Sequence, residues 1–232
     1  MKFDFEKHKL LALLFIGDLA FLILHVLHSF TSLLPDSLFS LTLDRGYAEF
    51  YQYIKELWVL ALFFVLGVKK RSYLFIVLSF LFLYFLLDDS LELHERIGAL
   101  LASNLNFQPR LGLRAVDFGE LAVFLFFGSQ FLLLVAAAYL HSDLYSRTAF
   151  KYLLVMLSFL AFFGVWIDML QITVTHHLMY DVLGMVDDAG EMFVMSAITW
   201  FAFRLNPTRE DGDFTRDFLL NVTKTPSSRH KG

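Results

Sequence analysis

Cysteine is absent from the 232 residues. The chain can therefore form no disulfide, offers no thiolate to a metal and carries no thiol nucleophile. Proline is scarce: Pro35, Pro109, Pro207 and Pro226 are the only four, and all lie outside the long apolar runs. No run has the proline break that opens ion sites in many transporters. Charged residues make up only 18% of the chain, and its net charge of −4 includes no basic arm. Nucleic acid is thus left without an electrostatic footprint to bind.

What remains is apolar. Hydrophobic residues make up 57% of the chain, 28 of them Phe, and the mean hydropathy is +0.60. A bilayer core about 30 Å thick is crossed by roughly 20 apolar helical residues. Six stretches meet that length: 10–33, 49–68, 72–94, 115–140, 149–174 and 186–205. The pattern predicts an all-α polytopic transmembrane bundle of six spans in the lipid bilayer. It occupies residues 1–205 and is followed by a loosely ordered polar tail over 206–232. The first run exceeds a signal-peptide core, contains Asp18 and lacks a small-x-small cleavage site, so it reads as a retained span.

With six spans both termini share one side. Arg45, Lys55, Arg96, Arg110 and Arg114 fall on the other side, against fourteen of the nineteen Lys and Arg residues. The positive-inside bias predicts cytoplasmic termini. Nothing in the sequence sets an oligomeric state.

LDDSLELHE, residues 87–95, raises the functional question, because an apolar run ends in a knot of acids. Counting ~1.5 Å per residue from the cytoplasmic ends puts His25, Asp88 and Asp168 about 24–25 Å deep, with Glu56 and Glu191 about 20 Å deep. Five spans thus bring an ionisable group to the outer third of the bilayer. Glu49, Asp117, Glu120, Asp187 and Asp188 can be explained as acids opening a helix, where the dipole favours them. Asp88, Asp89, Glu92 and Glu95 are expected at a helix end, where the dipole opposes them. An unpaired carboxylate within a span costs at least ~2.5 kcal/mol, so these groups need partners. Lys55 can neutralise one acid, and Arg96 is expected to snorkel to the interface.

The surplus acids therefore call for metal cations or protons. His25, Glu56, Asp88, His94, Asp168 and Glu191 are the expected ligands of a divalent Zn, Mn or Fe ion, since oxygen and imidazole donors suit those metals. Asp89, Glu92 and Glu95 are the candidate general acids or bases. Asp18, at mid-membrane, is read as the partner of a Tyr or Ser on a neighbouring span, with a proton relay as the alternative.

Leu87-Asp88-Asp89 with His94-Glu95 resembles the "LDE…IHE" signature of a group of uncharacterised bacterial multi-pass membrane proteins. The match is tight over about nine residues and loose over most of the chain. Asp89 stands where Glu is usual, and Glu92 is an extra acid. The resemblance implies about six spans in a bacterial inner membrane. It also implies an acid late in the penultimate span (Asp168) and an acidic pair opening the last (Asp188 and Glu191). It implies a shared site and names no reaction.

Three functions fit these residues. The first is a membrane metalloenzyme, acting on a lipid or small substrate through a metal-activated water at the periplasmic side. The second is a transporter or channel coupled to protons or metal cations. The third is a non-enzymatic sensor or assembly factor. Transport needs polar groups along a path. The inner halves of the spans offer only Asp18, Ser79, Ser129, Gln130 and Ser158, which favours the first reading.

Overall fold

A computed structural model describes residues 5–110 and 112–205. The chain runs through seven helices: α1 (Phe5–Phe30), α2 (Tyr47–Lys70), α3 (Tyr73–Leu91), α4 (Leu93–Asn104), α5 (Ala115–Leu140), α6 (Leu144–Thr173) and α7 (His177–Arg204). Among the described residues there is no β-strand, so the all-α expectation holds. The tail over 206–232 lies outside the described residues.

Five helices, α1, α2, α3, α5 and α6, are long and apolar enough to cross a membrane. The sixth expected span lies within α7, which has the length but not the composition. Asp187, Asp188 and Glu191 lower its apolarity. The packing explains how α7 accommodates them: it runs against α1, α2 and α6, so its polar groups can face protein instead of lipid. Met192, Met195, Ser196, Ile198, Thr199, Phe201 and Ala202 are all buried, as expected of a helix surrounded by others.

The main core fills one half of the bundle. Val59, Phe63 and Leu66 of α2 meet Leu74, Phe75, Leu78 and Phe82 of α3, with Leu153 of α6 and Met195 and Ile198 of α7 beside them. Phe63 stacks on Phe75 at 5.9 Å and tilts against Phe82 at 5.7 Å. Between lipid and protein the gain from such burial is close packing more than release from water. The α2–α3 turn is tight. Lys69 and Lys70 complement the dipole at the end of α2, and Arg71 takes the left-handed conformation at φ 51°. Gly67 lets Ile76 pack against bare backbone.

Several boundaries differ from the sequence expectation, most of all that of α7, which begins at His177 and not near residue 186, so Asp187 and Asp188 lie within the helix and do not open it. Span three was expected to run to residue 94, but α3 stops at Leu91. Glu92 turns left-handed at φ 53°, and α4 starts at Leu93. Inside α6, Phe162–Ile167 forms a π-helical turn that no periodicity in the sequence announces.

Candidate functional site

The acids of α2, Glu49 and Glu56, share one polar stripe with Gln52 and Tyr53, at i, i+3, i+4 and i+7. Its deep end is the centre of the site. Glu56 is 2% exposed, and its Oε2 has no hydrogen-bond partner. Asp89 of α3 and Glu191 of α7 are the acids whose charges act most strongly on Glu56. Glu56 and Asp89 act on one another as like charges, an arrangement that a proton or cation between the acids satisfies. The Tyr53 hydroxyl donates to the Asp89 carbonyl at 3.1 Å, tying α2 to α3 at this level. Glu191 reaches the cluster because Gly164, within the π-helical turn, leaves space for its carboxylate. Two of the expected ligands, Glu56 and Glu191, thus act on one another together with Asp89, which was expected as a general acid or base.

Asp88 faces the other way. The His94 backbone N–H donates to its Oδ1 at 2.8 Å, and the His94 ring Nδ1 stands 3.2 Å from its Oδ2. Asp88 therefore caps the start of α4. This corrects the expectation that these acids oppose a helix dipole. The end of α3 is also the beginning of α4, so Glu92 at the N-cap and Glu95 in the first turn are dipole-favoured. Glu92 also pairs with Arg45 at 2.7 Å and with Arg96 at 3.3 Å, on the surface. Glu95 is exposed beside His94, so Asp89 is the catalytic candidate whose charge acts on Glu56.

The Asp88 side chain raises the pKa of His94 to about 9, against partial burial that acts the other way. The folded value exceeds the ordinary 6.5. The pairing is therefore complete below about pH 6.5 and is lost as pH rises through about 9. An NMR titration of the His94 ring should have its midpoint near 9 and fall back toward 6.5 in Asp88→Asn. A wild-type midpoint near 6.5 would remove the pair.

Asp18 corrects a further expectation. Lys55 neutralises one acid, as expected, and that acid is Asp18, which was expected to partner a Tyr or Ser. Both side chains are fully buried, with Lys55 Nζ 3.1 Å from Asp18 Oδ1. Nζ also donates to the Met192 carbonyl at 2.8 Å and to Ser196 Oγ at 3.3 Å, and it lies 4.6 Å from the Tyr51 ring centre. His25 is buried too. Its Nδ1 accepts the Leu41 backbone N–H at 3.0 Å, so the ring anchors the α1–α2 loop.

Asp168 lies at the edge of the cluster. The charges that act on it are His94, Asp117 and Arg114, and it acts in turn on Asp187, Asp188 and Glu191. Asp187 is buried with Oδ1 unpartnered. Asp117 is a capping acid, as expected for a helix start. It accepts from the Arg114 backbone N–H at 2.6 Å and from the Arg114 guanidinium at 2.6 and 2.9 Å. Among the described residues no three His, Asp or Glu side chains are arranged to hold a metal ion. Sequence reasoning missed the close approach of Glu191 to Gly164, although Gly164 with Gly190 is the small-residue pattern of close helix crossings.

Residues 11–206 match a family model described as Domain of unknown function (DUF8692). No curated protein and no solved structure matches the chain.

Proposed function

The chain belongs to the DUF8692 family, and we propose that it is an integral membrane protein in which the buried Glu56 and the half-buried Asp89 and Glu191 bind an exchangeable hard cation, a proton or an oxygen-seeking metal ion. One observation carries the reading: Glu56 is almost wholly buried, has an orphaned oxygen, and faces two further acids. Leaving such a group ionised and unpaired is costly in a low-dielectric interior. The nearest buried cation, Lys55, is committed to Asp18. A proton on the cluster, or a cation within it, removes the penalty.

The donors favour hard cations over the zinc or iron of the sequence reading. His25 is engaged with Leu41 and His94 with Asp88, so the cluster offers carboxylate oxygens without imidazole. In the arrangement described, protons fit without movement, whereas a metal ion requires the acids to draw together. The apolar core around Phe63, Phe75 and Phe82 closes the other half of the bundle, which supports a site filled and emptied from one side. Charge asymmetry supports the periplasmic side of a bacterial cytoplasmic membrane. With Lys55 withdrawn into the bundle, that face keeps only Arg45, Arg96, Arg110 and Arg114.

The test uses purified protein in detergent, analysed for bound metals and titrated with Ca²⁺ and Mg²⁺, with infrared spectroscopy reading protonated carboxyl groups. Glu56→Gln should abolish saturable cation binding or remove a protonated-carboxyl band, and Glu92→Gln should leave both intact. A wild-type protein with neither signal, or with signals indifferent to Glu56→Gln, would refute the cation site.

A further inference from the structure

The cluster contains an acid held in an unusual way. Glu191 lies against the main chain of α6, where Gly164 leaves the space of a side chain empty. A methyl group on Gly164 would overlap Glu191 Oε1. Next to it, a methyl group on Gly190 would overlap the Phe163 ring. The two glycines therefore bring α6 and α7 together at the level of the acid. Gly164 sits in the middle of Phe162–Ile167, where α6 widens from an α- to a π-helical turn. Such turns disrupt regular helix packing and recur at functional sites. Two independent features thus meet at one carboxylate: a widened turn and a missing side chain.

We propose that Gly164 is a positioning residue for the cation site, with the π-helical turn of α6 forming a seat that orients Glu191 toward Glu56 and Asp89 and sets which hard cation the three acids accept. The inference rests on the cation-binding reading and deepens it. Glu191 approaches the others from α7, while Glu56 and Asp89 are already linked across α2 and α3 by Tyr53. Its placement therefore determines the span between donors. Filling the seat displaces one carboxylate and widens the site. Mg²⁺ demands near-ideal octahedral geometry at about 2.0–2.1 Å, whereas Ca²⁺ tolerates irregular shells at about 2.3–2.6 Å. A displaced Glu191 should therefore penalise Mg²⁺ more than Ca²⁺.

The experiment compares wild type, Gly164→Ala, Glu191→Ala and the double variant by Ca²⁺ and Mg²⁺ calorimetry and thermal midpoint in detergent. Gly164→Ala should weaken Mg²⁺ binding by roughly tenfold or more, about 1.4 kcal/mol, with a smaller loss for Ca²⁺. Adding Glu191→Ala should restore thermal stability lost to Gly164→Ala without restoring binding, because it removes the overlapped carboxylate. If the wild type binds only protons, the protonated-carboxyl band lost in Glu191→Ala should instead shift in Gly164→Ala. Unchanged binding, Mg²⁺/Ca²⁺ preference and band position in Gly164→Ala would overturn the seat, as would failure of Glu191→Ala to rescue stability. A wild type with no cation binding and no Glu56-dependent band would overturn the cation site itself.

Discussion

Asp18→Ala should destabilise the protein by about 3–5 kcal/mol, the usual cost of removing one partner from a buried ion pair. The stranded group would be Lys55, which is fully enclosed and keeps the Met192 carbonyl, Ser196 and the Tyr51 ring, with Glu56 as the remaining acid acting on it. A lysine cannot snorkel to water from that position, because its stem already points into the junction of α1, α2 and α7. The effect should concentrate on α1. Leu14, Asp18 and His25 are its buried residues among those described, while Leu13, Ile16, Leu19 and Ile23 are exposed on its outer side. Loss of the pair should therefore lower the denaturation midpoint in detergent and expose α1 to proteolysis before the other helices. Replacing both partners, as Asp18→Leu with Lys55→Met, should recover much of the loss, since the double change leaves no charge stranded. An Asp18→Ala protein as stable as wild type would show that the pair contributes nothing.

Gly119→Ala should be comparably damaging by a different route. A methyl group there would overlap the Gly98 carbonyl, and one on Gly98 would come within 2.6 Å of the Glu120 backbone nitrogen. Here α4 and α5 touch backbone to backbone, so no side chain can rotate away to make room. Forced overpacking usually costs about 1–3 kcal/mol, and the rigid contact places this case at the upper end. Separating the two helices would also shift His94 away from Asp88 and Asp168. Because the natural chain has no cysteine, paired cysteines can be introduced across the crossing. They should form a disulfide in the wild-type background and lose it in Gly119→Ala. Equal cross-linking in both would contradict the close approach.

Much of the fold could be read directly. Runs of apolar residues marked five helices that meet the length and composition of membrane spans, because lipid imposes one requirement on every residue in contact with it. Partner choice could not. Asp88 and Asp89 are neighbours in sequence, yet the ~100° step between successive helical residues sends one to cap α4 and the other to Glu56. Glu92 and Glu95 were assigned to the wrong helix end because a single left-handed residue divides α3 from α4.

By itself the sequence determined that this is a helical membrane protein with more buried acid than base, because composition and run length suffice for that. Only the tertiary structure decided which acids are neutralised. Lys55 turns to Asp18, His94 to Asp88 and Arg114 to Asp117, which leaves the charges of Glu56, Asp89 and Glu191 acting on one another. The physical reason is that pairing depends on rotation about helix axes and on close crossings at Gly164, Gly98 and Gly119. Those distances of a few ångströms are set by helices packing together, and no single helix encodes them.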